Sequence, residues 1–396
     1  MIQSKEYIIH QIANDIKTHI GQKYKDKSNI DWGLYTGLLG LIVFLFYYAK
    51  WTRKESDIQY ADLCLEQYLE SIPLTQIHYS YCSGLAGILV GLNHLNVCQF
   101  SDISISDVMP TLTEYIVQML KLDINNPDFM HGTIGAGIMG NVFKCAEIQD
   151  ILLPNLIQHM QIEGNAMWLT FKVFNESRYI ENISMSHGMS SVVSYLAMLS
   201  AMDSPYRKEA QIVLQKCVNY ILSQRYTHYN KVGSFFPYTS RKESICKSRL
   251  AWCYGDLGVG IALFNAGLIV NEKDWQKVAI NILSKSTQRL NTPDNCVVDA
   301  CFCHGSAGIS QIYNRLYIET KSNDFLTARE YWIAETLKYS KFHDGLSGYK
   351  TVMGNAYINE YSLLEGIAGI GLSLLSSIDS TQYSSWDSLF LLNLRC

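Results

Sequence analysis

The stretch Arg249-Leu-Ala-Trp-Cys-Tyr-Gly-Asp-Leu-Gly-Val-Gly260 sets a cysteine two residues ahead of a glycine-rich, aliphatic run. Its centre, Gly255-Asp-Leu-Gly258, recurs as Gly37-Leu-Leu-Gly40, Gly84-Leu-Ala-Gly87, Gly132-Thr-Ile-Gly135, Gly305-Ser-Ala-Gly308 and Gly366-Ile-Ala-Gly369. Gly188-Met-Ser-Ser191 is a degenerate seventh copy, with serine in place of the second glycine. The first glycines lie 47, 48, 56, 67, 50 and 61 residues apart. Recurrence at such intervals marks one supersecondary unit used many times. Each interval has room for two helices and their loops.

Working outward from the glycines, the segments that begin at them are apolar on all sides, as in Gly40 to Tyr48, Gly87 to Leu92 and Gly369 to Leu375. Helices of that kind are buried. Between them lie amphipathic segments with apolar residues at helical spacing, among them Ala61 to Ser71, Val108 to Leu122, Lys208 to Gln224 and Asp274 to Leu290. Each repeat thus pairs an inner with an outer helix, and glycine at the inner start lets neighbouring backbones crowd together. An open stack of repeats needs polar caps at its ends. The first and last repeats are as apolar as the rest, so the expected fold is all-α: seven helix pairs closed into an α/α toroid. Strands are expected only in loops, with a short hairpin in the insertion Tyr226 to Tyr238. No linker rich in Pro, Gly or Ser interrupts residues 1–396, which points to a single domain.

Composition narrows the function. The chain has 396 residues, 48% hydrophobic, and a formal net charge of −4, which gives no reason to expect nucleic-acid binding. A local basic group, Arg241, Lys242, Lys247 and Arg249, reads as a solvated face, with an acidic peptide as the alternative partner. The eleven cysteines are an odd number, and no signal-peptide core follows Met1, so reduced thiols in the cytoplasm are expected. Leu38 to Ala49 is too short to span a membrane and reads as a buried helix.

If the inner helices all start at one end of a ring, the residues flanking the glycines converge there. Those residues are Asp128, His131, His187, Cys253, Tyr254, Asp256, Cys303, His304 and Glu365. One cysteine, Cys253, with the adjacent pair Cys303-His304 makes three ligands with a fourth position open, the arrangement of a catalytic zinc.

Trp252-Cys253-Tyr254-Gly255, Cys303-His304-Gly305 and Ser186-His187-Gly188, in this order and on this repeat, resemble the lanthionine synthetase C (LanC) family of lantibiotic cyclases. The likeness runs the length of the chain, through Glu365-Gly-Ile-Ala-Gly-Ile-Gly371 to the closing Trp386-Asp387. It implies an α/α toroid with one zinc held by Cys253, Cys303 and His304. The implied reaction adds a peptide cysteine to dehydroalanine or dehydrobutyrine, closing lanthionine or methyllanthionine rings. The implied partners are a dehydrated precursor peptide, leader plus core, and a separate dehydratase. A membrane-associated biosynthesis and export complex at the inner face of the membrane goes with them. No N-terminal extension precedes the first repeat near Trp32, which suggests a stand-alone cyclase.

The chemistry assigns further roles. Addition of a thiolate leaves an enolate that needs stabilising charge and a proton on carbon. His187, whose unperturbed pKa of about 6.5 lies near neutrality, is the best acid. Arg249, one turn before Cys253 if that segment is helical, matches an arginine the family uses. Asp128 matches the family's aspartate and would orient His187 or pair with Arg249. Tyr254 matches a site tyrosine that would donate to the enolate oxygen.

Plainer readings stand beside these. A cysteine before glycine is commonly a small buried residue, and Cys301, two residues from Cys303, reads as core. His187 would then be a core histidine, Asp128 a helix cap, Arg249 an ion-pair partner and Tyr254 packing. At the level of function, the rivals are a thiol-binding or glutathione-adding relative with the same zinc site, a non-catalytic zinc scaffold, and a carbohydrate enzyme using Asp256 and Glu365. The last leaves the Cys and His pattern unexplained.

Overall fold

The first glycine of all seven repeats is a helix N-cap. The reason lies in the loop before it. In five repeats the amide following that glycine donates to the carbonyl six residues ahead of the glycine: Leu38 to Asp31, Thr133 to Asn126, Met189 to Asn182, Ser306 to Asp299 and Ile367 to Glu360, at 2.8–3.1 Å. The loop therefore folds back onto the helix start. A Cβ on Gly132 would sit 2.1 Å from the Asn126 oxygen, and one on Gly308, a second glycine, 1.8 Å from the Phe302 oxygen. Glycine is required first by its own loop. Crowding by the neighbouring repeat, the cause expected from sequence, comes second, as where Gly135 meets Tyr81.

This computed structural model describes residues 4–26, 30–106, 108–173, 176–243 and 246–395. The inner helices are α2 (Leu38–Thr52), α4 (Leu85–Val97), α6 (Thr133–Phe143), α8 (Met189–Ala201), α11 (Asp256–Ile269), α13 (Ser306–Thr320) and α15 (Ile367–Ile378). The outer ones are α3 (Glu55–Ser71), α5 (Met109–Leu122), α7 (Ala146–His159), α9 (Arg207–Ser223), α12 (Lys273–Ser286) and α14 (Asn323–Lys338). An N-terminal helix, α1 (Lys5–Asp26), completes the set. As expected, the inner helices are buried nearly throughout, and α2 is buried from Leu38 to Ala49. None of the described helices is long and apolar enough to cross a membrane.

The chain forms two compact units, each assembled from separate stretches. The first comprises Met1–Ile77, Cys82–Ile105 and Val297–Leu389. In it α15 packs against α13, α2 and α1, so the last inner helix takes its outer partner from the chain's first helix. The sequence reading did not find α1. It contributes Ile8, Ile9, Ile12, Ala13, Ile16 and Ile20 to the core. A buried ion pair, Arg315 Nη2 to Asp387 Oδ1 at 2.7 Å, is completed by Gln311.

The second unit comprises His78–Tyr81, Ser106–Cys296 and Phe390–Cys396. In it α6 and α11 both pack against α8. The insertion Tyr226 to Tyr238 is not a hairpin. It holds a one-turn helix, α10 (Tyr229–Val232), closed by Gly233 at φ +82°. Asp256, fully buried, ties this insertion to the start of α11. It accepts from the Phe235 and Phe236 amides and pairs with Arg289 at 3.1 Å. Hairpins occur elsewhere: β1 (Gln161–Glu163) with β2 (Ala166–Trp168), and β3 (Thr170–Lys172) with β4 (Tyr179–Glu181). In the first unit, β5 (Thr351–Met353) pairs with β6 (Ala356–Ile358).

Candidate active site

The loops that fold back onto the helix starts carry the chemistry-bearing side chains. In the second unit, the loop before α6 presents Asp128, the loop before α8 His187, and the loop before α11 Cys253 and Tyr254. The last two loops are joined by backbone, since Met185 and Ser186 amides both donate to the Cys253 carbonyl, at 3.0 and 3.3 Å. Residues 249–255 are not helical; α11 begins only at Asp256. The expected one-turn relation of Arg249 to Cys253 is therefore replaced by a bent, non-helical approach that ends at Gly255, φ +89°, the one inner-helix N-cap with a positive φ.

His187 Nδ1 lies 2.6 Å from Asp128 Oδ2. Asp128 is itself fixed, because its Oδ1 accepts the His131 amide at 2.8 Å. Burial disfavours charge on both groups, yet the pair overcomes it. The Asp128 carboxylate raises the His187 pKa, and His187 holds the carboxyl of Asp128 below its usual range. Of the two partners expected for Asp128, His187 is the one its carboxylate faces. The His131 ring stacks on His187 at 5.9 Å, a contact no sequence pattern announced. Tyr254 lies 6.3 Å from the His187 ring and stacks on Tyr238 at 4.3 Å. Burial pushes its hydroxyl pKa up, so it stays protonated at neutral pH. Arg249 Nη2 donates to the Cys296 carbonyl at 3.3 Å. Of the basic group, Lys242 pairs with Glu181 at 3.2 Å.

In the first unit, the loop before α13 carries Asp299, Cys301, Cys303 and His304, and the loop before α15 carries Glu365. They are joined by the Cys303 amide donating to the Leu364 carbonyl at 2.9 Å. Two groups of potential metal ligands share His304: Cys303, His304 and Glu365, and Asp299, Cys301 and His304. Within each, the ligand atoms lie within 4.8 Å of one another. His304 Nε2 faces Asp299 Oδ2 at 3.3 Å, and Nδ1 faces Glu365 Oε1 at 3.9 Å. Burial pushes the Cys301 thiol up to about 12, so it stays protonated and uncharged. Burial also opposes charge on His304, but the neighbouring Cys301 and Asp299 raise its pKa. With Cys301 neutral, that upward shift rests on Asp299.

A sulfur, an imidazole nitrogen and a carboxylate oxygen are the donor types zinc accepts. The imidazole already gives its other nitrogen to a buried carboxylate, as metal-bound histidines do. The residues present fit that metal. Asp299 was missed at the sequence level. Its signal was its place six residues before Gly305, where the fold-back loop begins.

A family model described as lanthionine synthetase C-like protein matches residues 28–391. The chain belongs to that family. Among curated proteins, nisin biosynthesis protein NisC of Lactococcus lactis subsp. lactis is 25% identical over 436 residues, covering 99% of this chain and 97% of the relative. Among solved structures, nisin cyclase superposes with a TM-score of 0.71 at 20% identity, covering 96% of this chain and 97% of that one. The likeness shows the fold, and this LanC-like chain is the all-α toroid that the repeats predict.

Proposed function

We propose that this LanC-like chain is a zinc-dependent peptide cyclase. It adds cysteine thiolates of a dehydrated precursor peptide to dehydroalanine or dehydrobutyrine and so forms thioether rings. The observation that carries the reading is the Cys303–His304 pair, its imidazole backed by Asp299, on a chain of this family. Cys253, Cys303 and His304 would hold the metal. Zinc, when bound, supplies a substrate cysteine as its thiolate at neutral pH. The sulfur lone pair then forms the C–S bond at the β-carbon of the dehydro residue, and the π electrons move to the enolate. Tyr254 and Arg249 stabilise the enolate oxygen. His187, charged and held by Asp128, gives its proton to the α-carbon. The proton the thiol gives up on becoming a thiolate passes to solvent, and solvent returns one to His187, so the net change is addition of S–H across the C=C bond.

The peptide arrives dehydrated, which requires a separate dehydratase. The family's implied setting is the cytoplasm, at or near a membrane-associated export complex. All residues 1–396 are proposed to act as one domain. The test incubates the purified protein with a dehydrated peptide and counts remaining peptide thiols by alkylation and mass spectrometry. Loss of thiols that stops with chelator or with Cys303→Ala is expected. Thiol loss that continues in a zinc-free Cys303→Ala protein overturns the proposal. Thiol loss only with added glutathione favours a glutathione-adding relative instead.

A further inference from the structure

We infer that Asp299 is a positioning residue: its carboxylate fixes the His304 ring with Nε2 inward, so that Nδ1 faces Glu365. The inference rests on the zinc reading above. Asp299 is 1% exposed, and a carboxylate so buried persists only with partners. It has three. Oδ1 accepts the Cys301 amide at 3.1 Å, Oδ2 accepts the Val352 amide at 2.9 Å, and His304 Nε2 lies 3.3 Å from Oδ2. Two of the three are backbone donors, one in the turn before α13 and one in strand β5. The carboxylate cannot swing without breaking both. The imidazole is the only partner with a free rotor, so the carboxylate is the template and the histidine the part that is set.

The surroundings leave the carboxylate no other pose. A Cβ on Gly305 would stand 2.6 Å from Oδ1, so the glycine of the repeat is also the space Asp299 occupies. The β5–β6 hairpin reaches the neighbouring loop as well, since Thr351 Oγ1 donates to the Glu365 carbonyl. One hairpin therefore clamps the loop that carries Asp299 and His304 to the loop that carries Glu365. A carboxylate receiving Nε2–H leaves the lone pair on Nδ1, the nitrogen 3.9 Å from Glu365.

The test measures zinc affinity of the full chain by competition with a chromophoric chelator, for wild type, Asp299→Asn and Cys303→Ala. It also records the thermal midpoint of each metal-free protein. An asparagine side chain has one oxygen where three donors converge, so His304 loses its acceptor or the ring turns over. Asp299→Asn should weaken zinc binding roughly 10–100-fold, with the metal-free midpoint within a few degrees of wild type. Long-range 15N spectra of zinc-loaded wild type should place the His304 proton on Nε2, and this measurement needs no variant. Wild-type affinity in Asp299→Asn, beside lost binding in Cys303→Ala, overturns the positioning role and leaves the zinc reading standing. A His304 proton on Nδ1 overturns it too. Equal and weak binding by wild type and Cys303→Ala sinks the zinc reading and this inference with it.

Discussion

At the residue scale, the His187–Asp128 pair sets a direction for the pH profile. A general acid works while protonated, so a raised pKa extends activity toward higher pH. Asp128→Asn removes the charge that raises it. The alkaline limb of the cyclisation rate should move to lower pH, while His187→Ala should lower the rate about 10²–10⁴-fold at all pH values. Rates of a thiol-counting assay between pH 6 and 9 check both, and an unmoved limb in Asp128→Asn contradicts the assignment. Where the candidate residues lie along the chain was legible beforehand. Asp128, His187, Cys253, Tyr254, Cys303 and His304 all sit in the loops before inner helices, because the glycine repeat marks every such loop. Arg249 lies in the expected loop with a different geometry, since periodicity carries no information about an irregular, bent segment. Asp299 escaped, and His131 was found without a role, because a side chain that acts on another side chain leaves no spacing rule in the sequence.

At the scale of elements, the glycines range from those their own loop demands, through those a neighbouring side chain demands, to those nothing demands. Gly308→Ala would drive a Cβ to 1.8 Å from a backbone oxygen. It should cost more than about 3 kcal/mol, as steric strain at a buried backbone site does. Gly21 lies inside α1 with nothing within 4 Å of its Cβ position. Gly21→Ala should stabilise by about 0.5–1 kcal/mol through helix propensity and the unfolded chain. Urea unfolding of the two variants decides the contrast, and a neutral Gly308→Ala would refute the fold-back constraint. Helix positions were readable to within a few residues, because burial on all sides or on one face is a pattern of composition. The insertion at Tyr226 to Tyr238 was misread as a hairpin. Val232-Gly-Ser-Phe-Phe236 has strand-favouring residues around a glycine, but Asp256 accepts the Phe235 and Phe236 amides, and that tertiary bond overrides strand preference.

At the scale of the whole molecule, buried titratable groups tie stability to pH. Burial pushes the His94 pKa down to about 4, where it sits beside Tyr47 at 3.0 Å. The unfolded chain takes a proton at His94 near pH 6.5, and the folded chain does not until about 4. Between those values the unfolded state binds more protons, so stability falls as pH falls, by on the order of 3 kcal/mol from this group. Thermal melts at pH 7, 5.5 and 4.5 should show a steeper loss in wild type than in His94→Gln; parallel curves would contradict it. The repeat count and the all-α class were legible, because seven spaced glycines are a global pattern. The seventh outer helix was not. α1 has no Gly-x-x-Gly unit at its start to mark it, and its partner α15 lies far along the chain.

That pairing has a consequence for synthesis. α1 ends at Asp26, and the helix it packs against begins at Ile367. At about 5–20 residues per second, a ribosome needs on the order of tens of seconds to bridge that interval. Throughout it the isoleucine face of α1 has no partner from α15. The nascent chain therefore carries a sticky amphipathic helix at its leading end until the last repeat emerges. Its folding is a late, long-range event of high contact order, and yield in cells should depend on chaperone supply more than the helical content alone suggests.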